Sequence, residues 1–270
     1  MGIVGDYSNG TCDISFTLRG CDGTIISQRR GEQVFYAAST IKLAVAMAVI
    51  QQIERGALDW EDTVPSTHRF TSARGETFSL ADDPDEVDME LPPDGTAISV
   101  RGLLDAMITR SSNEATNMLI GIIGLPMIQR LCHDCHMQRL HVERQIGDLA
   151  ARDFGTPNEV TTNDLSSLMF QAVSGTWAGE EYRSQLCGLL RRQRFPVIGD
   201  VLPSTAVWGS KSGDVVGIEH DVAFIADVGR AGALTLAICT RGYEPQAAHE
   251  AMHALAEALL DPWMDDLVDA

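Results

Sequence analysis

The sequence predicts an α/β (α+β) fold, in which an antiparallel sheet from both chain ends is flanked by helices and an all-helical domain is inserted between the two parts of the sheet. Strand-like patterns occur near both ends of the chain, at 12–18, 24–26, 206–208, 222–226 and 234–240. Helical patterns dominate between them. We therefore expect residues 1–38 with 195–270 to form a sheet domain and residues 39–194 to form a mostly helical domain.

The individual elements follow from local patterns. Asp22-Gly23 is a turn signal between the first two strands, which should therefore pair as an antiparallel hairpin. Residues 41–53 are mostly apolar and contain no Gly or Pro, so they predict a buried helix, and Gly56 marks its end. Ser39 is a residue type preferred at the N-cap of such a helix. Further helices are predicted at 100–108, 114–123, 163–173, 180–190 and from Pro245 onwards.

Ser39-Thr40-Ile41-Lys42 is the most informative short motif. A lysine one helical turn after a serine puts an amine beside a hydroxyl on the same helix face. Burial favours the neutral form of an amine, and a neutral amine can take a proton from a serine hydroxyl. The tetrad therefore predicts an activated nucleophile. A capping serine followed by a lysine that reaches solvent would give the same four residues.

Two further motifs favour the nucleophile. Ser111-Ser112-Asn113 precedes a predicted helix, and Lys211-Ser212-Gly213 follows a predicted strand. Ser-x-x-Lys, Ser-x-Asn and Lys-Ser-Gly in this order are much more specific than any one motif. On these residues the chain, from about residue 12 to about residue 260, resembles the class A β-lactamase-like serine hydrolases of the penicillin-binding protein/β-lactamase superfamily. The resemblance implies a β-lactamase/transpeptidase-like fold with the active site at the junction of the two domains.

The resemblance also implies a reaction. Ser39 would be the nucleophile, Lys42 its general base, and Ser111 the group that relays a proton to the leaving group. The expected function is hydrolysis of an amide, β-lactam or ester through an acyl-enzyme on Ser39, with neither cofactor nor metal. A penicillin-binding-type protein that is acylated without efficient hydrolysis is the alternative.

Substrate binding is implied for the remaining motif residues. Asn113 would hold the substrate amide, while Lys211 and Ser212, beside Gly213, would bind a substrate carboxylate. The backbone amides of Ser39 and Asp214 would form the oxyanion hole, which stabilises charge that develops in the transition state.

One stretch departs from the β-lactamase pattern. The β-lactamases proper carry a glutamate in an Arg-x-Glu-x-x-Leu-Asn stretch that activates the deacylating water, and Ile146 stands at that place here. A hydrocarbon cannot act as a base, so we expect a branch that lacks the usual deacylating glutamate. That branch has Arg-x-x-x-Asp and then Asn-x-x-Thr-Thr, which the chain matches with Arg144, Asp148, Asn158, Thr161 and Thr162.

Asp148 is a catalytic candidate with two interpretations. Its carboxylate could activate water two positions from the usual glutamate. Alternatively, it could form an ion pair with Arg144, four residues earlier, and hold the loop in place. We favour the ion pair, because ion pairs that hold loops are more common than catalytic carboxylates.

Acidic residues near the predicted site bear on the substrate. Glu219-His220-Asp221 opens the strand after Lys-Ser-Gly, where many β-lactamases have an arginine. A carboxylate there would repel a substrate carboxylate, so we expect a neutral or cationic substrate. The segment 71–93 is rich in acidic residues and proline, and we interpret it as a solvated surface insertion, with a lid for cationic substrates as the alternative.

Two other motifs point to different functions. His249-Glu250-Ala251-Met252-His253 fits the His-Glu-x-x-His pattern of zinc peptidases, which makes a zinc metallopeptidase the second alternative. We interpret this segment instead as a helix that lies on the sheet, because little chain follows it to supply a cleft or a third ligand. Cys132-His133-Asp134-Cys135-His136 fits the pattern of covalent haem attachment, and we interpret it as a helix end.

Length and charge limit the possible partners. With 270 residues and 44% hydrophobic content, the chain can bury a sizeable core. A net charge of −18 makes nucleic acid and anionic membranes poor partners, so we expect a small-molecule substrate and a monomer or homodimer. The first residues do not read as an export signal. We therefore expect a cytoplasmic protein with six mostly reduced cysteines.

Overall fold

A computed structural model describes residues 2–82, 87–226 and 233–263 of the protein. The strands in chain order are β1 (Val4–Gly5), β2 (Ser8–Asn9), β3 (Asp13–Arg19), β4 (Ile25–Arg29), β5 (Phe35–Tyr36), β6 (Thr63–Pro65), β7 (Arg69–Thr71), β8 (Thr77–Ser79), β9 (Ala97–Ser99), β10 (His141–Val142), β11 (Asn158–Val160), β12 (Trp208–Val215), β13 (Ile218–Ile225) and β14 (Leu234–Arg241). The helices are α1 (Lys42–Glu54), α2 (Val100–Thr109), α3 (Asn113–Ile123), α4 (Leu125–Asp134), α5 (Leu149–Asp153), α6 (Thr162–Ser174), α7 (Glu180–Leu190) and α8 (Pro245–Leu260).

The main sheet combines both ends of the chain, as the sequence predicts. Its five strands are all antiparallel to their neighbours and follow the order β12-β13-β14-β3-β4. β12, which carries the Lys-Ser-Gly motif, is therefore an edge strand. In its register with β13, Lys211 is opposite Val222 and Asp214 is opposite Glu219. Side chains alternate between the two faces, so Lys211 and Asp214 lie on opposite faces of the sheet.

The two faces of the sheet are covered by different helices. α1 is buried over almost its whole length and is packed by α2, α3, α4 and α7, in agreement with its nearly all-apolar sequence. This helical body and α6 cover the face that includes Val222 and Phe224. α8 covers the other face, where Met252, Ala256 and Leu260 join a second apolar cluster. The division of the chain into two domains at residues 38 and 194 stays a prediction.

The acidic segment is attached to the helical body on both sides of residues 83–86, which lie outside the described residues. β7 and β8 pair as a hairpin before the gap. After it, Arg110 Nη2 donates to Asp88 Oδ2 at 2.9 Å, and Asp88 N donates to Glu114 Oε1 at 3.0 Å. Only 8% of the Asp88 side chain is exposed. The interpretation of this segment as a solvated insertion is therefore wrong at Asp88, because that carboxylate is paired and buried.

One pair of helices has the composition of a broken membrane span. Within the described residues, no single helix is long and apolar enough to cross a membrane. α3 and α4 pass that test together, by length and composition only, with a bend of 86° between them.

Candidate active site

Ser39 lies in a short turn before the long helix and does not cap it as predicted. Residues Ala38–Ile41 form a 3-10 helix, α1 begins at Lys42, and neither element has a side-chain cap. Ala38 has φ of +46°, a left-handed conformation that is costly for a residue other than glycine. The Ser39 hydroxyl lies 2.8 Å from Lys42 Nζ, so it contacts the amine and is not used as a helix cap.

Lys42 joins the first two motifs. Its side chain is fully buried, and its Nζ lies 2.6 Å from Asn113 Oδ1, 2.5 Å from the Ser111 carbonyl oxygen and 3.2 Å from Ser111 Oγ. Asn113 is in position because Ser112 caps α3 by accepting from Ala115 N. The amine therefore has polar partners on several sides, which a buried amine requires.

Ser111 lies between two lysines. Its Oγ accepts a hydrogen bond from Lys211 Nζ at 3.1 Å, and Lys42 approaches from the other side. Lys211 also donates to the Ser212 carbonyl oxygen at 2.7 Å. Burial lowers the pKa of Lys211 to about 8, although the nearby carboxylates of Asp221 and Asp214 oppose that shift. At neutral pH a cation therefore lies beside the Ser111 hydroxyl.

Gly213 allows the edge strand to approach Ser39. A Cβ atom at this position would lie 2.6 Å from Ser39 N and 2.8 Å from Thr40 N, closer than any side chain tolerates. β12 therefore runs directly against the turn that holds Ser39. Asp214 follows on the same strand with an exposed side chain. The third motif thus meets the first two at one place.

Ser212 is directed away from this cluster. Its side chain is 5% exposed, and its hydroxyl donates to Gln193 Oε1 at 3.2 Å. Gln193 in turn donates to Ser210 Oγ at 2.8 Å, so one amide holds both serines of the strand. No sequence pattern marks Gln193, since a single glutamine after a helix carries no motif. To bind a substrate carboxylate, the Ser212 hydroxyl would have to release this amide.

The backbone of Ile146 is fixed by a side chain of α3. Asn117 Oδ1 accepts from Ile146 N, and Asn117 Nδ2 donates to the Ile146 carbonyl oxygen, each at 2.8 Å. Asn117 lies one helical turn after Asn113, whose Oδ1 contacts Lys42. The segment around Ile146 is therefore attached to the helix that also holds the amine. Sequence spacing places Asn113 and Asn117 on one face, but it does not reveal this contact.

The predicted ion pair between Arg144 and Asp148 is wrong. Asp148 Oδ1 accepts from Ser72 Oγ at 2.8 Å and from Ala151 N at 3.0 Å, where it caps α5. Its Oδ2 accepts from Ala73 N at 3.3 Å. Since nearby neutral donors satisfy this buried carboxylate, it does not need the guanidinium. These contacts favour a structural role for Asp148. Its partners are Ser72, Ala73 and Ala151, and not Arg144, which the four-residue spacing had indicated.

Glu219 lies on the sheet face opposite Lys211. Its side chain is 12% exposed, and its Oε1 is 3.4 Å from His249 Nε2 on α8. Burial, together with Asp214 and Asp221, raises the pKa of Glu219 to about 8. The expected repulsion of a substrate carboxylate by Glu219 therefore requires a pH above about 8, because below that value the carboxyl is mostly protonated.

The residues of the zinc-type and haem-type motifs lie on α8 and at the end of α4, respectively. His249 and His253 lie on α8 with their ring centroids 6.1 Å apart, and His253 faces Asp200 at 3.9 Å. Across the described ranges, no group of three or more His, Cys, Asp or Glu residues is arranged to hold a metal ion. Cys132 and Cys135 are buried free thiols at the end of α4, and burial raises the pKa of both.

One cavity lies away from the motif cluster. It has a volume of about 500 Å³ and lies between α2 and α7, with Trp60, Leu104 and Leu189 among its lining residues. None of the three motifs contributes to its lining. The chemically active groups converge at the edge of β12 instead.

The fold matches solved structures of β-lactamases and of a related protein. A β-lactamase from Sphaerobacter thermophilus DSM 20745 has a TM-score of 0.78 and 23% identity, over 94% of this chain and 92% of that chain. A β-lactamase from Xanthomonas campestris pv. campestris str. ATCC 33913 has a TM-score of 0.78 and 22% identity, over 94% and 92%. PBP-A has a TM-score of 0.74 and 19% identity, over 93% and 91%. The β-lactamase-like fold predicted from the sequence is thereby confirmed.

The family follows from the sequence itself. The model of the β-lactamase enzyme family matches residues 3–263. The chain therefore belongs to the β-lactamase enzyme family, which confirms the resemblance drawn from its three motifs. No curated protein matches the sequence.

Gly213→Ala should impair the reactivity of Ser39. The new methyl group would meet the backbone of the turn that holds Ser39, so either the strand or the turn must move. A displacement of about 1 Å can cost on the order of 100-fold in rate. The measurement is the rate at which an acylating probe modifies Ser39. Gly188→Ala is the control, because a Cβ there meets nothing within 4 Å. Equal rates in Gly213→Ala and the native protein would contradict this account of the close approach.

Glu219→Gln should change how stability depends on pH. Glu219 has a pKa raised from 4.5 to about 8, so between these values the folded state holds a proton that the unfolded state has lost. Glu219 then lowers stability as pH rises through this window, by up to about 1.4 kcal/mol per pH unit. Buried His220, whose pKa is lowered from 6.5 to about 4, has the opposite effect below about pH 6.5. The variant should therefore remove the decline in denaturant unfolding at about pH 6.5 to 8. Exposed Glu250→Gln should keep it, and an unchanged decline in Glu219→Gln would show that another group causes it.

Proposed function

We propose that the protein is a serine hydrolase that acts on an amide, β-lactam or ester through an acyl-enzyme on Ser39. The contact that carries this proposal is the 2.8 Å approach of the buried Lys42 amine to the Ser39 hydroxyl. A base within hydrogen-bond distance of a hydroxyl is the arrangement that activates a serine nucleophile. Family membership supports the same class of reaction.

The first half of the reaction follows from the cluster. Lys42 takes the Ser39 proton as Oγ forms a bond to the substrate carbonyl carbon, and the carbonyl oxygen becomes an oxyanion between the amides of Ser39 and Asp214. When the bond to the leaving nitrogen or oxygen breaks, Ser111 gives that atom its proton. Ser111 lies between Lys42 and Lys211, so it can be reprotonated from Lys42.

The second half needs water to replace Ser39 on the acyl carbon. With Ile146 at the place of the usual glutamate, the general base of this step is not assigned by the motifs. This observation favours a second candidate function, a penicillin-binding-type protein that is acylated without efficient hydrolysis. A PBP-A variant with a TM-score of 0.73 was solved as an acyl-enzyme complex with penicillin G, so a protein of this fold can carry such an acyl group.

The wider setting belongs to the same proposal. We expect a small-molecule substrate, no nucleic acid or membrane partner, a monomer or homodimer, and a cytoplasmic location. The neutral or cationic substrate expected from Glu219-His220-Asp221 stays a prediction, since Glu219 lies on the sheet face opposite Lys211.

The acyl-enzyme can be tested directly by intact-mass spectrometry. The native protein, exposed in turn to a penicillin, a cephalosporin and an activated ester, should gain the mass of an acyl group on Ser39 and lose it with time. Ser39→Ala should form no adduct while keeping its melting temperature, and Lys42→Ala should react on the order of 10²- to 10⁴-fold more slowly. A permanent adduct would favour the penicillin-binding alternative. No adduct with any probe would count against both.

Asp148→Asn separates the two roles considered for Asp148. If Asp148 is structural, the variant should lose about 1–3 kcal/mol of stability, because the amide replaces a carboxylate that accepts three hydrogen bonds. Formation and decay of the adduct by the folded variant should then match the native protein. Asp153→Asn, at a carboxylate that is 67% exposed, is the matched control. A stable variant whose adduct persists would instead assign water activation to Asp148.

A further inference from the structure

The N-terminal hairpin, formed by β1 and β2, packs beside the edge strand that carries the active site. A Cβ at Gly5 would lie 2.6 Å from the Val216 carbonyl oxygen, and one at Gly217 would lie 2.9 Å from Ser8 Cβ. Val216 and Gly217 form the turn between β12 and β13, just after Asp214. The hairpin therefore lies directly against the end of the strand that approaches Ser39.

The same hairpin holds a buried guanidinium. Arg144 is 2% exposed, and its Nη2 donates to the Tyr7 hydroxyl at 3.0 Å. Its Nη1 makes only a long contact of 3.4 Å to the Gln145 carbonyl oxygen, and its Nε has no hydrogen-bond partner. A buried cation with few acceptors depends strongly on each of them. The Tyr7 hydroxyl is thus an important partner of Arg144.

Tyr7 also reaches the segment that leads to the nucleophile. Its ring stacks on Tyr36 with centroids 3.6 Å apart and an angle of 4° between the planes. Tyr36 lies on β5, three residues before Ser39, and pairs with Glu159 of β11. A second contact of the hairpin is the ion pair of Asp6 with Arg152 at 2.7 Å.

Arg144 and Arg152 both belong to one loop, residues 144–158, which lies against the active site. Asn158 closes the loop, since its side chain accepts from Arg144 N and donates to the Arg144 carbonyl oxygen. Asn117 fixes the loop at Ile146, next to the helix end that holds Lys42. The hairpin supplies two further attachments, one near the start of the loop and one at α5.

We propose that Tyr7 is a positioning residue, which holds the 144–158 loop through Arg144 and so sets the rate at which the acyl group leaves Ser39. This inference rests on the proposed function. The contacts described for Ser39, Lys42 and Ser111 do not involve the hairpin, so acylation should depend little on Tyr7. The departure of the acyl group requires a placed water, and Asn117 attaches the loop at Ile146 to α3, the helix that begins at Asn113.

Tyr7→Phe tests the inference, because it removes the hydroxyl and keeps the ring stack. With an activated ester, the adduct on Ser39 should form within twofold of the native rate and decay at least tenfold more slowly. Hydrogen exchange should become faster in peptides from residues 144–156. Asp6→Asn, at a side chain that is 73% exposed, should show a smaller change of the same kind. Tyr243→Phe, outside both the hairpin and the loop, should behave like the native protein.

Each other outcome has a defined meaning. Native decay and native exchange in a folded Tyr7→Phe protein would overturn the inference. An equal fall in both rates together with a lower melting temperature would also overturn it, because that pattern reports general destabilisation. If the native protein forms no adduct, or a permanent one, the proposed hydrolysis fails and exchange alone decides. Faster hydrogen exchange of the loop in Tyr7→Phe then supports the inference that Tyr7 stabilises the loop, and unchanged exchange contradicts it.

Discussion

The arrangement of the active site depends on one buried amine. Lys42 is fully enclosed, yet its Nζ is within hydrogen-bond distance of Ser39, Ser111 and Asn113. An amine removed from water is tolerated only where such partners replace it. The amine therefore requires the start of α1, the turn before α3 and the turn that holds Ser39 to meet at one point. The surrounding helices are largely apolar, so these three segments must come together to supply its polar partners.

The edge strand completes the same arrangement from the other side. Lys211 contacts Ser111, and Gly213 allows the strand to contact the turn that holds Ser39. An edge strand leaves one line of backbone groups without a neighbouring strand, so it can offer amides to a substrate. The backbone strain at Ala38 and Ser111, both with positive φ, occurs at this junction. Strain of this kind persists only where surrounding contacts fix the backbone.

Much of the fold is predictable because its signals are local. The nearly all-apolar helix, the alternating first strand and the order of the three motifs led to the sheet from both chain ends and to the family. Helix boundaries agree within a few residues, and α7 agrees at both ends. The errors have a common cause. The N-cap preference of Ser39 and the ion pair of Asp148 with Arg144 both rest on neighbours in sequence, whereas the actual partners of Asp148 include Ser72.

The sequence by itself determined the residue types that chemistry needs: a serine with a lysine one turn later, a second serine before a helix, and a third motif just after a predicted strand. The structure places that third motif within β12 itself. Only the tertiary structure decided which of these groups meet. Ser212 bonds Gln193, Ile146 is fixed by Asn117, and Arg144 depends on Tyr7. These contacts join residues far apart in the chain, and their formation depends on packing that no local pattern records.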